Sequence, residues 1–248
     1  MVWLAYTPRV PFDSRPPAQS RVRIRLDRAL SKLGVASRRD AKSLITEGRV
    51  SVRGRVVTDP AFLVVPETAR LVVDNVPPAR AAWRTIAFHK PRGVVTTTRD
   101  PEGRRTVYDV LGEAGRGLVA VGRLDMASTG LLVLTNDTQL ANRLTDPENA
   151  IPRRYAVTVR GLLTDDNVAR LTEGIGGLRA SSAVVRKRSR RETHLMIELT
   201  EGKNREIRRM LEALGHEVTR LLRVAFGPIE LGTLQPGDWR EIAREELA

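Results

Sequence analysis

The chain has 248 residues, 41% of them hydrophobic, which suffices for one large domain or a large domain plus a small one. It has no cysteine, and its histidines, His89, His194 and His216, lack metal-ligand spacing, so disulfides and thiolate chemistry are excluded and no metal is expected. The formal charge is +13, and only five of the 42 basic residues are lysines; guanidinium forks match phosphate, so nucleic acid is the expected partner.

Aromatic residues make up 4% of the chain, too few for a broad base-stacking platform. No apolar run approaches the roughly 18 residues of a membrane span. The opening MVWLAYTPRVPF is broken by prolines and lacks the basic head and small-residue cleavage site of a signal peptide. A cytoplasmic monomer without membrane contact is expected.

Residues 1–21 carry four prolines and no periodic apolar face, and read as a mobile tail. Leu26, Leu30 and Leu33 then sit at helical spacing up to Gly34, and Ser37 can cap a second helix through Ala41, Leu44 and Ile45 to Gly48. Val50, Val52, Val56 and Val57 around Gly54 predict a hairpin. This compact module spans residues 22–80, closed by Val76-Pro-Pro-Ala-Arg80.

Residues 81–248 form a second unit. Strands are predicted at Thr85 to His89 and Val94 to Thr97, flanking Lys90-Pro-Arg-Gly93, then at Arg116 to Val121 and Gly130 to Thr135. Asp137 can cap a helix bearing Leu140 and Leu144; Tyr155 to Val159 and Thr193 to Leu199 alternate as strands. Asp165 to Ile175 and Asn204 to Leu214 are helical in pattern, and Arg186-Lys-Arg-Ser-Arg-Arg191 reads as an exposed hairpin, open to RNA contact. Strands and helices mix without regular alternation, which predicts an α+β fold with a mainly antiparallel sheet.

The segment GRLDMASTGLLVLTND, residues 122–137, sets Asp125 two residues after Arg123 and just ahead of a continuous apolar strand. An R-x-D triplet reads either as a structural ion pair or as a reactive carboxylate at the mouth of a core, kept ionised by a guanidinium. In the first module, Arg38, Arg39 and Lys42 follow one another at a helix N-terminus, with Arg25 upstream. That is either a solvated face or a phosphate grip.

The pattern RLDxxLxxxGxASRRxAxxxIxxGRVxVxG resembles the S-four RNA-binding domain, with Arg53 where that domain usually has Asn. The later blocks FHKPRGVVTTTRDPEGRRTVYDVL, VGRLDMASTGLLVLTND, PRRYAVTV and EGKNREIRRMLEALGHEVTRLLRVAFGPIEL, in that order, resemble the RsuA/RluB-type ribosomal RNA pseudouridine synthases. The resemblance implies a small S-four module ahead of a larger synthase domain, and isomerisation of a ribosomal RNA uridine without a cofactor. The wording of the last block is closer to the large-subunit members. The family's catalytic aspartate falls on Asp125, acting as nucleophile or as base. Arg123 matches the family arginine, suited to holding phosphates while the nucleotide is extruded. Tyr155 matches a tyrosine able to stack on the uracil. Lys203 falls where a basic residue pairs with the aspartate. Leu124 and Ile207 fall on the pocket side, though Ile207 reads equally well as core. Arg205, Arg208 and Arg209 share one face of the last helix, open either to solvent or to RNA.

Three positions depart from the family pattern. Ser128 stands in place of Thr and keeps a hydroxyl for a turn hydrogen bond; Thr138 replaces a glycine, and Arg153-Arg154 replace Lys-Thr. The competing class is a non-catalytic RNA-binding assembly factor, against which an acid in a phosphate-attracting cleft argues. A DNA-binding regulator would need a helix-turn-helix or zipper pattern, which is missing.

Overall fold

The computed structural model describes residues 23–36, 38–66, 68–77 and 82–247. The predicted tail, the Ser37 cap and the junction at residues 80 and 81 lie outside the described residues, as does the side chain of Arg38.

In the N-terminal module, β1 (Ile24–Arg25), α1 (Leu26–Lys32), α2 (Arg38–Thr46), β2 (Val50–Val52), β3 (Arg55–Val56), β4 (Leu63–Val64) and β5 (Leu71–Val73) follow in order. Helical spacing brings Leu26, Ala29, Leu30, Ala41 and Ile45 onto one buried core with Val50, Val64 and Leu71. Gly34 and Gly48, at φ +73° and +71°, turn the chain out of the two helices, a conformation that costs glycine least. The predicted hairpin is β2–β3; β5 joins the other edge of β2, and β1 pairs with β4.

The second unit contains β6 (Thr85–Lys90), α3 (Val107–Leu111), β7 (Val119–Val121), β8 (Thr129–Thr135), α4 (Thr138–Thr145), β9 (Arg153–Arg160), α5 (Asp165–Glu173), β10 (Ser182–Arg188), β11 (Glu192–Leu199), α6 (Glu206–Ala213), β12 (Val218–Phe226), β13 (Ile229–Glu230) and β14 (Trp239–Glu241). One sheet holds these strands in the order β10-β11-β9-β12-β8-β6-β14, with β7 beside β8 and β13 beside β12. All pairings are antiparallel except β12 with β8. The fold is α+β.

Every residue of β6 is buried, and so are the last six residues of β8, because both sheet faces are covered there. On one face Leu132, Leu134, Ile86 and Phe88 join Leu171 of α5 and Ile207, Met210 and Leu211 of α6. On the other, Leu131 and Val133 pack with Leu140 and Leu144 of α4 and with Phe226. Asp137 caps α4, accepting from the amides of Gln139 and Leu140, so Thr138 is the first helical residue and needs no left-handed turn.

Two strand expectations change. Val94 to Thr97 is not a strand: Gly93 N–H donates to Met126, Val95 N–H to Arg105 and the Thr96 hydroxyl to Leu124, so neighbouring groups reach different segments. The central strand β12 was missed, because Arg220 and Arg223 break its apolar alternation. Among the described residues no helix is long and apolar enough to cross a membrane.

Candidate active site

Asp125 sits on the loop between β7 and β8, and each carbonyl from Leu124 to Ser128 has its own donor. The Thr96 hydroxyl donates to Leu124 O at 2.9 Å and accepts from Leu124 N–H at 3.3 Å. Ser128 N–H donates to Asp125 O at 3.0 Å, and Gly93 N–H to Met126 O at 2.8 Å. Arg208 donates to Ala127 O at 3.3 Å, and Lys90 Nζ to Ser128 O at 2.9 Å. Five donors from four segments hold this backbone, as a side chain that must meet a substrate in one geometry requires.

The loop forms the mouth of a cavity of about 360 Å³, of the size that takes one small aromatic group. Tyr155, Leu124, Leu199, Ile207 and Leu221 supply apolar walls, and Gly122, Arg123, Lys203 and Arg205 also line it. Its base is cationic. Arg223 is 2% exposed, donates to Leu131 O at 2.6 Å, and lies 5.1 Å from the Phe226 ring centre; Arg153 approaches the same ring at 4.8 Å. Arg153 also donates to the carbonyls of Ile151, Thr200 and Leu144, and burial lowers its proton affinity.

Lys90 is fully buried, and desolvation pushes its ammonium down to about 8 against the attraction of Asp125, with Arg223 adding to the fall. Asp125 is one-third exposed, and its nearest cation is Arg205, 4.0 Å away. Glu206, the other acid in the lining, is 3% exposed and bonds to Lys203 N–H; burial raises its proton affinity. Asp125 is therefore the one carboxylate that faces outward in this lining. Cations converging on an apolar cleft favour a phosphate-bearing ligand.

The structure brings Arg123, Leu124, Asp125, Tyr155, Lys203, Arg205 and Ile207 together around this cavity. It does not pair Lys203 with Asp125. Lys203 bonds to Glu201 at 2.5 Å and to Gly177 O, and Glu201 raises its proton affinity. The guanidinium two residues on takes the place beside Asp125, because Arg205 has left-handed backbone, φ +49°, at the start of α6. Arg208 is not fully exposed either: its side chain is half-buried, its guanidinium donates to Val218 O and Ala127 O, and burial lowers its proton affinity. Arg209 is the exposed member of that face together with Arg205. The Ser128 hydroxyl, expected to bond within the turn, is buried without a hydrogen-bond partner.

Sequence reasoning passed over Lys90 and Arg223 as site residues. A signal for Lys90 was its place at the end of a strand with the apolar run Ile86-Ala-Phe88, where an ammonium without a counter-ion is costly. Arg223 had no comparable signal, since its partner Leu131 lies 92 residues away. In the N-terminal module Arg25, Arg28, Arg39 and Lys42 line one concave surface with Asp27, and Arg25 pairs with Asp27 at 3.2 Å.

Residues 84–213 match the family model for RNA pseudouridylate synthase, and residues 24–68 match that for the S4 domain. The chain is 39% identical to an RNA pseudouridine synthase of Aquifex aeolicus (strain VF5) over 91% of this chain and 92% of the relative. It is 38% identical to ribosomal large subunit pseudouridine synthase B of Yersinia pestis, over 88% and 72% of the two chains. The corresponding protein of Bacillus subtilis (strain 168) is 35% identical over 90% and 93%. A crystal structure of a pseudouridylate synthase superposes with a TM-score of 0.62 at 26% identity, covering 90% of this chain and 98% of the other. With an outward-facing carboxylate in a base-sized cationic cleft and these matches over nearly the whole chain, the protein belongs to the RNA pseudouridylate synthase family and is an RNA pseudouridine synthase with an S4 domain.

Proposed function

We propose that the protein converts one uridine of ribosomal RNA, in the large subunit, to pseudouridine, with Asp125 as the catalytic carboxylate. The observation that carries this reading is Asp125 itself: an acid, more exposed than the buried Glu206, on a loop whose carbonyls are all bonded, at the mouth of a cavity lined mainly by cations and apolar walls. The names of the relatives in Yersinia pestis and Bacillus subtilis support the large subunit as target.

The reaction breaks the bond from uracil N1 to the ribose, turns the base, and joins C5 to the same carbon. Reactant and product have the same atoms and oxidation state, so the balance requires no cofactor. Arg205, 4.0 Å away, orients Asp125, which either adds to the substrate or removes a ribose proton. Tyr155 offers a ring against the flipped base, and its hydroxyl can move the proton at C5. Arg123, exposed at the rim, and Lys203 hold flanking phosphates once the nucleotide leaves its stack. Leu124 and Ile207 exclude water from the turning base. On the S4 module, Arg25, Arg38, Arg39 and Lys42 grip the RNA backbone, and Arg209 extends the contact beside the cavity.

The test is Asp125→Asn, assayed by chemical mapping of pseudouridine in ribosomal RNA transcripts incubated with the protein. Activity should vanish while RNA affinity stays within a few-fold; retained activity overturns the assignment. A substrate deuterated at ribose C2′ separates the two roles of Asp125, since a primary isotope effect marks proton removal.

A further inference from the structure

The β10–β11 hairpin carries five basic residues, Arg186, Lys187, Arg188, Arg190 and Arg191, all exposed. Arg188 is paired with Asp165 on α5, and Glu192 is taken by His194. The other four have no carboxylate partner among the described residues. Their charge faces water uncompensated.

Their place in the fold separates them from the cavity. Ile197 of β11 lies opposite Tyr155, whereas Glu192, next to the turn, lies opposite Arg160 at the other end of β9. Five residues at about 3.3 Å each put the turn about 17 Å along the sheet from Tyr155. The register of β10 skips Arg186, which sits in a bulge with no partner on β11; a bulge re-aims a side chain on an edge strand. Guarding the open edge of β10 explains charges within the strand. It does not explain Arg190 and Arg191, which lie beyond its last residue, Arg188, where there is no ladder to protect.

We propose that Arg186, Lys187, Arg190 and Arg191 form a second RNA-binding surface, which takes phosphates of the helix flanking the modified nucleotide. The proposal rests on the reading of the chain as an RNA-modifying enzyme. Residues 186–192 contain no apolar side chain, so neither insertion into a bilayer nor docking on a protein core suits them. Two guanidiniums in the turn, Arg190 and Arg191, and a third in the bulge before it, Arg186, suit the paired oxygens of successive phosphates.

The test neutralises all four in the full chain, as Arg186→Gln, Lys187→Gln, Arg190→Gln and Arg191→Gln, and measures binding to a labelled 20-base-pair RNA duplex between 50 and 400 mM KCl. Each lost phosphate contact lowers the slope of log affinity against log salt by about 0.7–0.9, so the slope should become shallower by about 3. Affinity at the low-salt end should fall at least tenfold. On ribosomal RNA transcripts KM should rise with kcat unchanged, since the cavity is untouched. A control with Arg116→Gln and Arg244→Gln should shift the slope by less than one.

An unchanged slope overturns the proposal, whether or not the variant aggregates; aggregation with an unchanged slope makes the charges an edge guard only. Failure of wild-type protein to bind the duplex also overturns it. The two readings fail separately. Wild-type protein that makes no pseudouridine, with a slope that still drops, sinks the catalytic reading and leaves this surface; an active enzyme with an unchanged slope does the reverse.

Discussion

Replacing Lys90 by methionine tests both the electrostatics and the loop architecture of the site. Methionine keeps the length and apolar bulk of the side chain and removes its charge and two hydrogen bonds, to Pro91 O at 3.0 Å and Ser128 O at 2.9 Å. Burial brings the native ammonium from 10.5 down to about 8, while the unfolded chain keeps its proton to the ordinary value. Between these two pH values the unfolded state binds more protons, so this group makes stability rise with pH. An interval of about 2.5 pH units at about 1.36 kcal/mol each amounts to about 3 kcal/mol, of which about 2 appear between pH 8 and 10.

At pH 7 methionine avoids that burial cost but strands two carbonyls, at about 1–3 kcal/mol each. The two effects oppose one another, so stability should stay within about 2–3 kcal/mol of wild type. Activity has no such compensation. Freeing Ser128 O loosens the loop three residues from Asp125, and kcat should fall by about tenfold to a hundredfold. Urea unfolding of both proteins at pH 7, 8, 9 and 10 gives the decisive quantity, the wild-type-minus-variant stability. A difference that does not change with pH refutes the buried-ammonium argument. Full activity of the variant refutes the argument for the loop.

Three further predictions follow from single contacts. A Cβ at Gly130 would stand 2.3 Å from Arg223 O and 2.6 Å from Arg223 N, at φ +105°; Gly130→Ala should therefore part β8 from β12 and cost more than about 3 kcal/mol in thermal or urea unfolding, and a wild-type melting temperature would contradict this. Arg205→Met should lower kcat more than Lys203→Met does, because Arg205 is the cation beside Asp125 whereas Lys203 is held by Glu201; the reverse order in single-turnover assays would return the pairing role to Lys203. Thr96→Val preserves shape but removes both bonds to the Leu124 backbone, so it should destabilise by about 1–2 kcal/mol and slow the chemical step, and wild-type values for both would show that this contact is idle.

Much of the fold was legible in local pattern. The helices over Leu26 to Lys32, Arg38 to Thr46 and Asp165 to Glu173 follow apolar spacing, and Asp137 announces its helix because a carboxylate ahead of free amides is a local signal. What was misread depended on partners far along the chain. Val94 to Thr97 has strand composition but gives its polar groups to two other segments, around Arg105 and Leu124, and β12 hides its position at the centre of the sheet behind two arginines.

By itself, the sequence determined the α+β class, the basic RNA-binding character and the family resemblance, and it singled out Asp125 as the candidate carboxylate, since each rests on composition or on a short ordered block such as Gly-Arg-Leu-Asp125. Only the tertiary structure decided which cation attends that aspartate and what keeps its loop in place. The parallel pairing of β12 with β8 sets Arg223 against Gly130, and the left-handed turn at Arg205 brings its guanidinium, rather than the Lys203 ammonium, towards Asp125. Side chains of the same charge two residues apart are interchangeable on paper; backbone direction separates them in space.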